Sequence, residues 1–155
     1  MEKKELNKLL NMIAKYKYFT DEKRDKIFSY LEEYKEKEPF YYHKNIGRIC
    51  ALFGPLDMAI THLNTAKELD ETNPSVYYEL YKCHIKNNDF ESALDNLTAC
   101  IKADGGVHNF ELPIMMLRSL VDMDLDSSGM DSLDILRLVQ ENISYYFDDF
   151  RQKLS

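Results

Sequence analysis

Little in this chain breaks, staples or anchors a fold. Its 155 residues include only five Gly and four Pro, with no Ser- or Gly-rich stretch. No linker is therefore marked, and a single domain over residues 1–155 is expected. Three cysteines (Cys50, Cys83, Cys100) are an odd number with no CxxC pair. That excludes a disulfide framework or a zinc site and suits a reducing, cytoplasmic setting. No apolar run approaches the roughly 18 residues a membrane helix needs, and the opening MEKKELNKLL lacks the apolar core of a signal peptide. Cations are also scarce. The net charge is −7, with ten Lys/Arg against nine Asp/Glu over 1–39, six against nine over 40–106 and four against nine over 107–155. Clustered cations are what phosphates need, so neither a membrane nor a nucleic acid is expected as partner. No nucleophile-and-base motif, Gly-rich phosphate loop or carboxylate pair stands out, and His43, His62, His84 and His108 lack metal-ligand spacing. The expectation is a protein that is no enzyme and holds neither cofactor nor metal.

What the chain does have is helical periodicity almost throughout. Leu6, Leu9, Leu10, Ile13 and Ala14 follow i, i+3, i+4 spacing and predict a first helix ending near Tyr18. Thr20 before Asp21 and Glu22 reads as an N-cap with acids in the first turn, where they complement the helix dipole. The second helix is predicted to reach about Lys37, burying Ile27, Tyr30, Leu31 and Tyr34, with Pro39 ending it. The third and fourth are predicted over about 40–53 and 56–69, joined by Gly54–Pro55, with the proline at the first helical position. The fifth and sixth follow over about 74–87 and 90–103, with Asp89 as N-cap. A seventh is predicted from about Asn109 to Asp122, and a last from about Asp131 to Leu154.

Phe40–Asn73 overlies Pro74–Val107 without a gap, a period of 34 residues. Ile46 falls on Leu80, Gly54 on Asn88, Ala59 on Ala93, Leu63 on Leu97 and Ala66 on Cys100. The matched positions are apolar or small, and the Gly–Asn pair falls where each hairpin must turn. Such a unit cannot bury its apolar face alone and must stack on a neighbour. At Tyr77, Leu80, His84, Ala93, Leu97 and Cys100, and again at His43, Ile46, Gly47, Cys50, Ala59, Leu63 and Ala66, the chain resembles the tetratricopeptide repeat family. Tyr81 stands where the family has a small residue. The likeness covers about 40–106, flanked by a degenerate hairpin over 1–39 and a helical cap over 107–155. It implies an all-α solenoid of about eight helices in antiparallel hairpins, with a concave groove that holds another protein and performs no chemistry.

In that family the first helix of each repeat lines the groove. The resemblance therefore points to Tyr41, Lys44 and Arg48 on one helix and Tyr78, Lys82 and Lys86 on the next, with residues four apart facing alike. These helices hold four cations and one acid, Glu79, in an acidic protein. Lys44 and Arg48 also resemble the basic pair with which some members clamp a terminal carboxylate, and Asn11 and Lys15 would be its first-repeat part. The partner implied is another protein or an acidic peptide. The alternative is a regulatory or ligand-sensing helical-repeat module of a bacterial signalling protein.

Three features fall near the C-terminus. Asp124, Asp126, Ser128 and Gly129 resemble a calcium loop, but Ile135 stands where the closing acid belongs. Asp131-Ser132-Leu133 is similar to the pantetheine site of carrier proteins, but too few residues follow to complete such a domain. Leu133, Leu136, Gln140, Ile143, Phe147, Phe150 and Leu154 form a heptad seam, suited to internal packing or to a homodimer through this last helix.

Overall fold

The structure is a computed structural model that describes residues 1–16 and 19–104. These form six α-helices: α1 Lys3–Tyr16, α2 Asp21–Glu32, α3 Pro39–Phe53, α4 Leu56–Leu69, α5 Pro74–Lys86 and α6 Phe90–Asp104. No strand occurs among the described residues, and the fold is all-α. The predicted seventh and eighth helices, Gly105–Gly106 and the acid-rich stretch lie outside the described residues, as do Ser132 and the Leu133–Leu154 seam. The chain divides into two compact units, Met1–Asp70 and Glu71–Ser155.

In the first unit, the apolar stripe of α1 buries Leu6, Leu10 and Ile13, and α2 buries Ile27 and Leu31. Thr20 caps α2, its hydroxyl accepting the Lys23 N–H at 3.3 Å. That helix ends at Glu32, five residues before the predicted end. Hydrogen bonding switches there from four-residue to three-residue closure, with Tyr34 N–H on the Leu31 carbonyl at 2.9 Å and Lys35 N–H on that of Glu32 at 3.2 Å. Of residues 33–37 only Tyr34 is half-buried, so little tertiary packing holds this polar run helical. Pro39 does not end α2; it occupies the first turn of α3, where its missing N–H is no loss.

α3 and α4 form a hairpin. Ile46, Ile49 and Cys50 are buried from one helix, and Ala59, Leu63 and Ala66 from the other. The helices lie in close contact at Gly47, where an added Cβ would stand 2.6 Å from Leu63 Cγ and 3.3 Å from its backbone nitrogen. Gly54 makes the turn with φ +82°. A Cβ there would touch nothing within 4 Å, so the backbone conformation, not space, calls for glycine. Pro55 falls one residue earlier than predicted, as the N-cap of α4. Its ψ of 146° keeps it extended, while its carbonyl accepts the Ala59 N–H at 3.2 Å.

The second unit repeats the hairpin. α5 buries Val76, Leu80, Tyr81 and Cys83, and α6 buries Ala93, Leu94, Leu97 and Cys100. Asn73 caps α5 by accepting the Ser75 N–H at 3.1 Å. Asp89 accepts the Ser92 N–H at 3.2 Å, as its predicted capping role requires. Asn88, the counterpart of Gly54, also has a positive φ, +56°, and asparagine is among the few residues that tolerate it. The Cys100 thiol reaches the Pro74 carbonyl at 3.3 Å, joining the end of α6 to the start of α5.

Candidate functional site

The six residues singled out from the sequence fall in two groups of three, one on the first helix of each hairpin. On α3, Tyr41, Lys44 and Arg48 are each half-buried. Tyr41 is built into its own unit. Its hydroxyl donates to Asn7 Oδ1 at 2.7 Å, its ring meets Tyr34 edge-on at 5.2 Å, and the Lys3 ammonium lies 4.5 Å from its centroid. Burial pushes the Tyr41 phenol up to about 12, so it stays a hydrogen-bond donor at any ordinary pH. The Lys44 ammonium lies 5.9 Å from the Phe40 ring. Asn11 and Lys15 on α1, the residues assigned to a carboxylate clamp, are both exposed.

On α5, Lys82 sits over the Tyr78 ring at 4.5 Å and pairs with Glu79 at 3.0 Å. Glu79 is the more enclosed partner, its side chain 13% accessible against 37% for Lys82. The single acid of these two helices thus orients one of the four cations. Lys86, a turn further on, is exposed. Aromatic rings and cationic stems supply packing surface here, while guanidinium and ammonium groups supply donors for a carboxylate.

A second cluster in the first unit escaped the sequence reading. His43 on α3 and His62 on α4 bring their Nδ1 atoms to 2.9 Å, with ring centroids 5.1 Å apart. Tyr42 meets both rings edge-on and donates its hydroxyl to Glu32 at 3.0 Å. One imidazole must present N–H and the other a lone pair, so the contact requires that at most one ring be charged. Burial holds both histidines below the usual imidazole range, and for His62 the neighbouring His43 adds to the effect. Reading His43 as a packing residue captures its aromatic contacts but not this partner. The available signal was its position: His43 and His62 stand at similar distances on either side of the Gly54 turn.

Among the described residues no three His, Cys, Asp or Glu gather as metal ligands, and no helix is long and apolar enough to cross a membrane. Cys50, Cys83 and Cys100 are buried and unbridged. Compared with family profiles, curated proteins and solved structures, the chain matches none.

Proposed function

We propose that this protein is a non-catalytic adaptor of the tetratricopeptide kind, a solenoid of about eight helices. It holds an acidic peptide or acidic segment of a partner protein on the cationic faces of α3 and α5. The carrying observation is the sign of those faces. Lys44, Arg48, Lys82 and Lys86 lie four apart in pairs on the first helices of two hairpins that follow the same 34-residue sequence repeat, within a chain of net charge −7. Arg48 offers a fork of donors to a carboxylate, and the lysines add mobile charge. Tyr78, whose ring lies 4.5 Å from the Lys82 ammonium, adds aromatic surface on which the bound chain rests.

The test is fluorescence anisotropy with a labelled tetraglutamate peptide bearing a free C-terminus. Affinity should fall as salt rises, because exposed pairs are screened beyond about 10 Å at 0.1 M. Arg48→Ala should lower it roughly ten- to a hundred-fold if a charge-assisted contact of about 1.5–3 kcal/mol is lost. Lys67→Ala on α4 and Lys102→Ala on α6 should leave it unchanged. Binding that survives loss of Arg48 and Lys82 but disappears with Lys67 or Lys102 would refute the assignment.

A further inference from the structure

Within the first unit, α1, α2 and the flanking Met1 and Phe19 border a half-open cavity of about 400 Å³ with almost wholly apolar walls. Buried Ile13 and Ile27 line it together with half-buried Leu9 and Phe19. Phe19 is braced from behind by Phe53, ring on ring at 5.2 Å. Its rim is unusual for this protein. Among the described residues five large apolar side chains are exposed, and three of them, Met1, Met12 and Tyr16 at 41%, 54% and 63%, surround this one cavity. Leu9, Met12 and Tyr16 recur at spacings of three and four, a second apolar stripe on α1 beside the one that packs inward.

Two cations complete the lining. Lys23 and Lys26 stand one turn apart on α2, both exposed and both facing the cavity. No described carboxylate pairs with either, whereas Arg24 between them is held by Asp21 at 3.2 Å and Asp25 at 3.6 Å. The volume lies in the small-ligand range of roughly 300–1,000 Å³, and an apolar lining with few polar groups is typical of such sites.

We propose that this cavity binds a single-chain anionic amphiphile, a carboxylate of medium chain length. The chain lies against Ile13 and Ile27, and the head group sits between the Lys23 and Lys26 ammoniums. Charge complementarity selects this occupant: a neutral apolar molecule leaves both lysines unused, and a cationic one meets repulsion. Met12, unbranched and polarizable, adapts to a chain of variable course. The lysine stems cover apolar surface while their ammoniums reach the head group.

The experiment uses the full chain labelled with ¹³C at the methionine methyls, titrated with decanoate below its micelle-forming concentration. The Met12 resonance should move saturably, while that of Met58, exposed on α4 and away from the cavity, stays fixed. Lys23→Gln combined with Lys26→Gln should weaken decanoate about three- to ten-fold and leave decanol binding unchanged. Met12→Glu, at a position 54% exposed, should abolish decanoate binding. No saturable Met12 shift, or an equal shift with decylamine, would overturn the proposal. So would a Met12 shift produced by raising protein concentration alone with a doubled mass by light scattering, which would make a second copy the occupant.

Discussion

Gly47 in α3 and Tyr81 in α5 stand 34 residues apart at the same place in their hairpins, yet they solve opposite problems. Gly47 withdraws so that Leu63 can fill the space where its Cβ would be; Tyr81 is itself core, 3% exposed. The polar positions diverge in the same way. His43 and His62 satisfy each other across the first hairpin at 2.9 Å. Their counterparts in the second bond locally: the Tyr77 hydroxyl donates to the Glu71 carbonyl at 2.8 Å, and buried Asn96 donates to the Ser92 carbonyl one turn back, also at 2.8 Å. What the two hairpins share is the apolar frame of Ile46/Leu80, Ala59/Ala93 and Leu63/Leu97, and a positive φ at the turn. A repeat can thus keep its register through a few buried positions and one backbone conformation while the residues between them change.

The largest effect should come from Tyr81→Ala, which empties a buried aromatic site and should destabilise by about 3–5 kcal/mol in denaturant unfolding. A loss below about 1 kcal/mol would mean that Tyr81 is not the core residue that replaces the first hairpin's close approach. At the turns the contrast reverses. Gly54→Ala forces a side chain into a conformation that is nearly glycine's alone and should destabilise by about 1–3 kcal/mol. Asn88→Gly should change stability by only a few tenths, because asparagine already tolerates its backbone. Equal responses at the two turns would break the comparison.

Smaller than the Gly54→Ala effect is that of Gly47→Ala. Crowding Leu63 should destabilise by about 1–3 kcal/mol, offset by the ~1 kcal/mol that alanine gains over glycine in a helix. The expected net loss is about 1 kcal/mol. A gain in stability would show that Leu63 yields at no cost and that the close approach is not tight.

The smallest effect concerns pH. His43 and His62 are held below the usual imidazole range in the folded chain. The unfolded chain therefore binds more protons just below its histidine value, about 6.5. The stability these groups confer is complete above that value and is lost as pH falls below it toward their folded values. Amide protection factors in α3 and α4, which remove the intrinsic slowing of exchange in acid, should fall between pH 7 and 5. The change should disappear in His43→Tyr combined with His62→Asn, which imports the second hairpin's residues. An acid response that persists in that variant would place its origin elsewhere.

Much of the described fold was legible in the sequence because helical spacing and capping residues are local signals. α4 has its predicted bounds, α3, α5 and α6 differ from theirs by a residue at one end, and Thr20 and Asp89 cap as predicted. The end of α2 was not legible, since a polar run such as Glu33–Glu38 has high helix propensity but almost nothing to bury. The His43–His62 contact joins residues 19 apart on different helices, and single-helix periodicity does not report on pairs across a turn. The cavity between α1 and α2 was missed for a related reason. Met12 and Tyr16 stand outside the predicted stripe of α1, and only the fold brings Lys23, Lys26 and Ile27 to the same cavity. At the candidate site, the spacing of Lys44 with Arg48 and of Lys82 with Lys86 was visible. The engagement of Tyr41 by Asn7 and of Lys82 by Glu79 was not, because both depend on side-chain packing.

Partner binding on α3 and α5 is tested most directly by amide chemical-shift mapping of the full, ¹⁵N-labelled chain during titration with unlabelled tetraglutamate. The largest shifts should fall within Tyr41–Arg48 and Tyr78–Lys86, saturate together with one dissociation constant, and fade as salt is raised. Shifts confined to α4 and α6, or none that saturate, would contradict the reading of α3 and α5 as the surfaces that hold an acidic partner.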